Sequence, residues 1–186
     1  MIMVPSNHNP LLRREDSLLI IIDMQERLVP VMEQKDTLVK NVCTLLKCSN
    51  LLGIPLVVTE QQKLGGTIPE IREELGSISP IEKVEFDCFR SGAFRTRLAD
   101  LGKQALALAG IEAHICVTQT ALHAAPDYQV HVVSDAVSSR SLENKRVALG
   151  RMARAGVILS STEMAIFELL EKAGTDTFKE VLKLVK

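Results

Sequence analysis

Aromatic residues are scarce in this chain: they make up 3% of it, with one Tyr and no Trp. Base-stacking platforms and large aromatic anchors are therefore not its main chemistry. Charge of one sign is also missing. A formal net charge of -1 offers no electrostatic footprint for nucleic acid or an anionic membrane, and neither is expected as a partner. The four cysteines, Cys43, Cys48, Cys88 and Cys116, show neither paired zinc spacing nor the density of a disulfide scaffold. No apolar stretch reaches the ~20 residues needed to span a bilayer. Met1 to Pro10 lacks an uninterrupted apolar core of signal-peptide length. A cytoplasmic protein with reduced thiols is expected.

At 186 residues, 46% of them hydrophobic and 24% charged, the chain suits one well-buried core. A single domain over 1–186 is expected, with 1–15 as an amino-terminal arm. Leu18 to Ile22 is a run of aliphatic residues, the mark of a strand buried on both faces. Further strands are expected at Pro55 to Thr59, Ile81 to Phe86, Gln104 to Ile111, Gln129 to Ser134 and Val157 to Ser160. Between them the punctuation predicts helices: Asp36 or Thr37 to Leu52 with Gly53 as stop, Glu70 to Leu75, and Gly92 to Leu101 capped by Ser91. Others are expected from Cys116 to Ala125, Ser141 to Ala155, Glu163 to Lys172 and Thr177 to Val185. Strands alternating with helices predict an α/β fold with a parallel sheet covered on both faces.

Three of the expected strands deliver reactive side chains. Leu18 to Ile22 ends on Asp23, the run around Ile81 on Lys83, and the strand ending near Ile111 leads by a turn to Cys116. Ligands bind at the carboxyl ends of strands in open α/β sheets. A carboxylate, an ammonium and a thiol meeting there supply base, charge stabiliser and nucleophile. At a helix start Cys116 is expected to feel the helix dipole, which favours the thiolate. The plain alternative is a small buried hydrophobe. Cys43 and Cys48 fit a helical apolar pattern, and Cys88 is a weaker candidate for the same crevice. Asp23 could instead cap a turn, and Lys83 could be a solvated charge. His114 is expected in a loop, and His123 and His131 at the surface or core edge. After the second strand stand Thr59, Glu60, Gln61 and Gln62 without a histidine, and no metal or other cofactor is expected. Arg140 could clamp a carboxylate or contact another subunit, while Ser141 caps the helix that follows.

These residues fall in a familiar order. The matching segments are Leu19-Ile-Ile-Ile-Asp23-Met-Gln25, Val58-Thr-Glu-Gln61, Glu82-Lys83-Val-Glu-Phe86 and Gly110-Ile-Glu-Ala-His-Ile-Cys116-Val. Val130 to Ser141, Arg151 to Val157 and Ser160 to Glu163 follow. The chain resembles the isochorismatase-like cysteine hydrolase superfamily, in the branch of isochorismatase domain-containing proteins.

The resemblance implies a three-layer α/β/α fold with a six-stranded, mostly parallel sheet. It implies a Cys–Asp–Lys triad of Cys116, Asp23 and Lys83, and a cis peptide at Ile111–Glu112. The backbone N–H groups of Glu112 and Cys116 then hold the substrate oxyanion, and Gln25, Gln61 and Phe86 are expected to bind substrate. A homo-oligomer is expected, with a small molecule as substrate. The Asp-x-His metal motif of nicotinamidases has no counterpart here, which argues against nicotinamide. Many relatives have Phe-Ser where this chain has Phe86-Asp87-Cys88, and the extra acid is expected to alter the pocket's charge. Retention of Cys116 points to a small amide, carbamoyl or related C–N substrate. The alternatives are a non-catalytic oligomeric interaction protein that keeps the triad, and a vinyl-ether hydrolase of the isochorismate type.

Overall fold

A computed structural model describes residues 10–186. Part of the expected arm therefore lies outside the described residues. Of the remainder, Leu12 is buried in the core and its N–H donates to Glu168 Oε2 at 2.9 Å.

Six strands form one sheet: β1 (Ser17–Ile22), β2 (Leu56–Gln61), β3 (Ile81–Lys83), β4 (Ala105–Ile111), β5 (Gln129–Ser138) and β6 (Ile158–Ser160). Every neighbouring pair is parallel, in the order β3-β2-β1-β4-β5-β6. All residues of β1 and β4 are buried, as expected of central strands covered on both sides. Alternate residues serve two cores. Leu19 and Ile21 pack with α1 (Lys35–Leu52), α6 (Thr162–Leu170) and α7 (Asp176–Val185), while Leu18, Ile20 and Ile22 pack with α3 (Gly92–Leu101), α4 (Thr118–Ala124) and α5 (Leu142–Arg154). A single turn, α2 (Pro69–Arg72), joins the first layer through Ile71. This is the expected three-layer α/β/α arrangement. Among the described residues no helix is long and apolar enough to cross a membrane.

Several boundaries differ from the sequence reading, for local reasons. α3 has the expected bounds, because the Ser91 hydroxyl accepts from Phe94 N–H and Gly102 closes the helix in a left-handed conformation. α1 starts one residue before Asp36 and takes no side-chain cap; Gln34, at φ 53°, precedes it. β3 stops at Lys83 where six residues were expected, and Gln62 N–H donates to the Lys83 C=O at 2.9 Å at that end. β5 runs four residues past Ser134, with a register shift against β4 between Leu108 and Gly110. His131, expected at a surface or core edge, is fully buried in β5; burial pushes its imidazole down to about 4.

The sheet order decides where a site can form. Successive strands are added on one side from β1 to β3 and on the other from β4 to β6, so the carboxyl ends of β1 and β4 bound the crevice at the topological switch point. Asp23 follows β1 directly, and Glu112 follows β4 directly.

Candidate active site

The carboxylate and the ammonium meet first. Lys83, the last residue of β3, donates from Nζ to Asp23 Oδ2 at 2.7 Å and to Gln61 Oε1 at 2.9 Å. Thr59 Oγ1 donates to the other oxygen, Asp23 Oδ1, at 2.7 Å. Thr59 and Gln61 lie two apart on β2 and so share one face of the sheet. The registers Ile22↔Thr59 and Gln61↔Lys83 set them beside their partners. The ion pair is sealed: the side chains of Lys83 and Asp23 are 0% and 2% exposed. Burial pushes the Lys83 ammonium down, but the Asp23 carboxylate and the thiols of Cys116 and Cys88 outweigh it, so its net shift is upward. Asp23 itself sits in a left-handed conformation, φ 56°, with its N–H on Thr59 C=O at 3.2 Å. That turn swings its side chain off the strand and into the crevice.

The thiol arrives from β4 by a route the sequence reading did not foresee. Cys116 lies in a π-helical turn, Ala113–Val117, that widens the start of α4, and Thr118 Oγ1 ties the turn by donating to Ala113 C=O at 2.6 Å. Wide turns of this kind recur at functional sites. The expectation of a dipole-stabilised thiolate is corrected here. Burial, and next the facing Asp23 carboxylate, push the Cys116 thiol well above the ordinary cysteine range, and the Lys83 ammonium pulls against them without prevailing. Burial and the facing acid thus favour the thiol over the thiolate.

The expected cis bond at Ile111–Glu112 is also corrected. Among the described residues every peptide bond is trans. The chain reverses instead through Glu112 itself, at φ 54° and ψ 57°. Its buried carboxylate holds the turn: Oε1 pairs with Arg140 Nε at 2.6 Å, and Oε2 lies 3.3 Å from His114 Nδ1. His114 Nδ1 is also 2.9 Å from Ser139 Oγ. Arg140 thus braces the turn after β4, while Ser141 caps α5 as expected, its hydroxyl accepting from Asn144 N–H.

The other expected site residues separate. Gln61 belongs to the cluster through Lys83, and its amide donates to Val84 C=O at 2.8 Å. Gln25 is fully buried, and its amide bonds Gln61 N–H and C=O and Gly65 C=O, clamping the turn after β1 to β2. Phe86 is 54% exposed on the loop after β3. Asp87, expected to charge the pocket, caps the short turn Cys88–Arg90 by accepting from Phe89 N–H and pairs with His123 Nδ1 at 2.8 Å. Its charge is turned toward α4.

Two contributors carried little signal in the sequence. Thr59 stood out only through β2's alternation, which puts it on one face with Gln61. Cys88, expected as the weaker candidate, is fully buried beside this cluster; burial pushes its thiol up to about 11, with Lys83, Thr120, Asp23 and Thr59 as its polar neighbours. A separate cavity of about 580 Å³ lies at the amino ends of β4 and β5, lined by Leu11, Ala105 and Gln129 among others, away from these groups.

Fold and crevice together define a three-layer α/β/α protein with an acid, an ammonium and a thiol gathered at the switch point of its sheet. The chain belongs to the isochorismatase family: the model of the isochorismatase domain matches residues 17–164. It is 36% identical over 178 residues to isochorismatase domain-containing protein 2 of Danio rerio, covering 94% of this chain and 89% of that protein. The structure of a MAR1 ribonuclease from Caenorhabditis elegans superposes with a TM-score of 0.87 at 34% identity, covering 94% of this chain and 92% of the other. The YcaC gene product of Escherichia coli, an octameric hydrolase of unknown specificity, has the same fold, with a TM-score of 0.89 at 21% identity over 96% and 92% of the two chains.

Proposed function

We propose that the protein is a cysteine hydrolase acting on a small amide, carbamoyl or related C–N substrate. The observation that carries this reading is the Asp23 carboxylate, gripped on both oxygens by Lys83 and Thr59 and facing the Cys116 thiol. Asp23 takes the thiol proton as sulfur attacks the carbonyl carbon, which relieves the unfavourable burial of a free thiolate. The backbone N–H groups of Glu112 and Cys116 receive the oxyanion, in a turn braced by Arg140 and His114. Asp23 returns the proton to the departing amine, leaving a thioester on Cys116. Water, deprotonated by the same carboxylate, then frees the acid and restores the thiol. Lys83 stays an ammonium throughout, and Phe86 supplies an apolar rim against the substrate.

The experiment is a turnover screen across small amides, ureides and carbamoyl compounds with the wild type and Cys116→Ala. The variant should lose all turnover of any compound the wild type hydrolyses. Undiminished hydrolysis by Cys116→Ala would remove sulfur from the reaction and leave acid catalysis by Asp23, as for a vinyl ether. A homo-oligomer fits the octameric relative and the exposed apolar side chains Leu142 and Val147 on α5; light scattering that finds single chains alone would overturn it.

A further inference from the structure

Cys88 has no part in that reaction, yet it is seated against the nucleophile. It opens the short turn Cys88–Arg90, and its N–H donates to Thr120 Oγ1 at 3.1 Å. Thr120 stands four residues beyond Cys116, and residues four apart share one helix face about 5–6 Å apart. Cys88 therefore packs on the face of the helix that carries the Cys116 sulfur. Both cysteines lie in the same core cluster, whereas Cys48 belongs to the core on the other side of the sheet and Cys43 packs against that same distant core. Both thiols also border the one Asp23–Lys83 pair, and Cys88 lies close enough to Cys116 to act on its thiol electrostatically. Their access differs: Cys116 is 5% exposed at the crevice, and Cys88 is 0% exposed behind it. A dissolved reagent meets Cys116 first, and what forms there meets Cys88.

We propose that Cys88 is a resolving thiol for Cys116, so that a hydroperoxide closes the site as a reversible Cys88–Cys116 disulfide. In the first step the Cys116 sulfur attacks the distal peroxide oxygen, the O–O bond breaks, and the alcohol or water leaves with the thiol proton. Cys116 is then a sulfenic acid, oxidised by two electrons, and the hydroperoxide is reduced by two. In the second step the Cys88 sulfur displaces the sulfenic oxygen, the S–S bond forms, and that hydroxyl departs as water with the Cys88 proton. Two equivalents of a small thiol reverse the disulfide and are themselves oxidised to one disulfide. Trapping the sulfenic acid this way keeps Cys116 from the irreversible sulfinic and sulfonic states. The proposal needs Cys116 to be a reactive thiol but does not need hydrolysis, so its failure leaves the turnover test of the hydrolase reading untouched.

The test is intact mass and a non-reducing peptide map of the full chain after treatment with hydrogen peroxide. The expected result is a loss of two hydrogen masses, a linked peptide pair containing Cys88 and Cys116, and full reversal by dithiothreitol. In Cys88→Ser the same treatment should add two or three oxygens to Cys116, with no recovery in dithiothreitol. Wild-type protein that gains those oxygens without the link, links Cys116 to another cysteine, or does not react at all would overturn the proposal. Should the variant not fold, the wild-type map alone decides the matter.

Discussion

Asp23→Ala should destabilise the protein by about 3–5 kcal/mol in urea unfolding, because it strands a buried ammonium. Lys83 is sealed from water, and its Nζ donates to Asp23 and Gln61. Without the carboxylate, one neutral amide oxygen is left to face a full charge in a low-dielectric pocket. A domain is stable by only about 5–15 kcal/mol in total, so the loss is a large share of it. The pair as a whole is another matter: removing both charges together is often neutral or stabilising. Asp23→Asn combined with Lys83→Met should therefore recover much of the stability and none of the activity. That separation is the signature of charges kept for chemistry. A change below about 1 kcal/mol in Asp23→Ala, the range of exposed ion pairs, would mean the pair is not buried as described.

Gly110→Ala should prevent folding or cost on the order of 5 kcal/mol or more, by wedging β1 from β4. Ile22 and Gly110 are paired at the carboxyl ends of the two central strands. A Cβ on Gly110 would overlap the Ile22 carbonyl oxygen and stand 2.7 Å from the Ile22 nitrogen, and Gly110 itself has φ +124°. Backbone cannot yield there as a flexible side chain could. The close approach is what brings Asp23, one residue past Ile22, alongside the turn that carries Glu112 and Cys116. Gly156→Ala is the control: φ is also positive, at +89°, but nothing lies within 4 Å of the added carbon. It should cost about 1 kcal/mol. Equal urea midpoints for the two variants would contradict this account of the switch point.

The fold was legible because its signals are local. Aliphatic runs bounded by Ser91, Gly53 and Gly102 specify strands and helix ends within a few residues, and strand–helix alternation then leaves few topologies. The gathering of Asp23, Lys83 and Cys116 was legible because each sits at a strand end or just past one. What surrounds it was not. The hydrogen bond from Thr59 to Asp23 depends on the register of β2 against β1, and register is a long-range property. Gln25 and Asp87 look like site residues by position, but their side chains face backbone and His123, a choice of rotamer that no spacing encodes. The upward shift of the Cys116 thiol was hidden for a related reason: a helix start predicts one sign of shift, and burial beside a carboxylate imposes the other.

The most direct measurement is the order in which the four thiols react with iodoacetamide, resolved by peptide mapping under native conditions at neutral pH. Accessibility alone puts the part-exposed Cys43 first, since Cys48, Cys88 and Cys116 are buried. The account predicts that Cys116 is alkylated ahead of Cys43, because Asp23 takes its proton during attack, and that Asp23→Asn reverses the order. Cys43 reacting first in the wild type, with Cys116 silent until the protein unfolds, would contradict it.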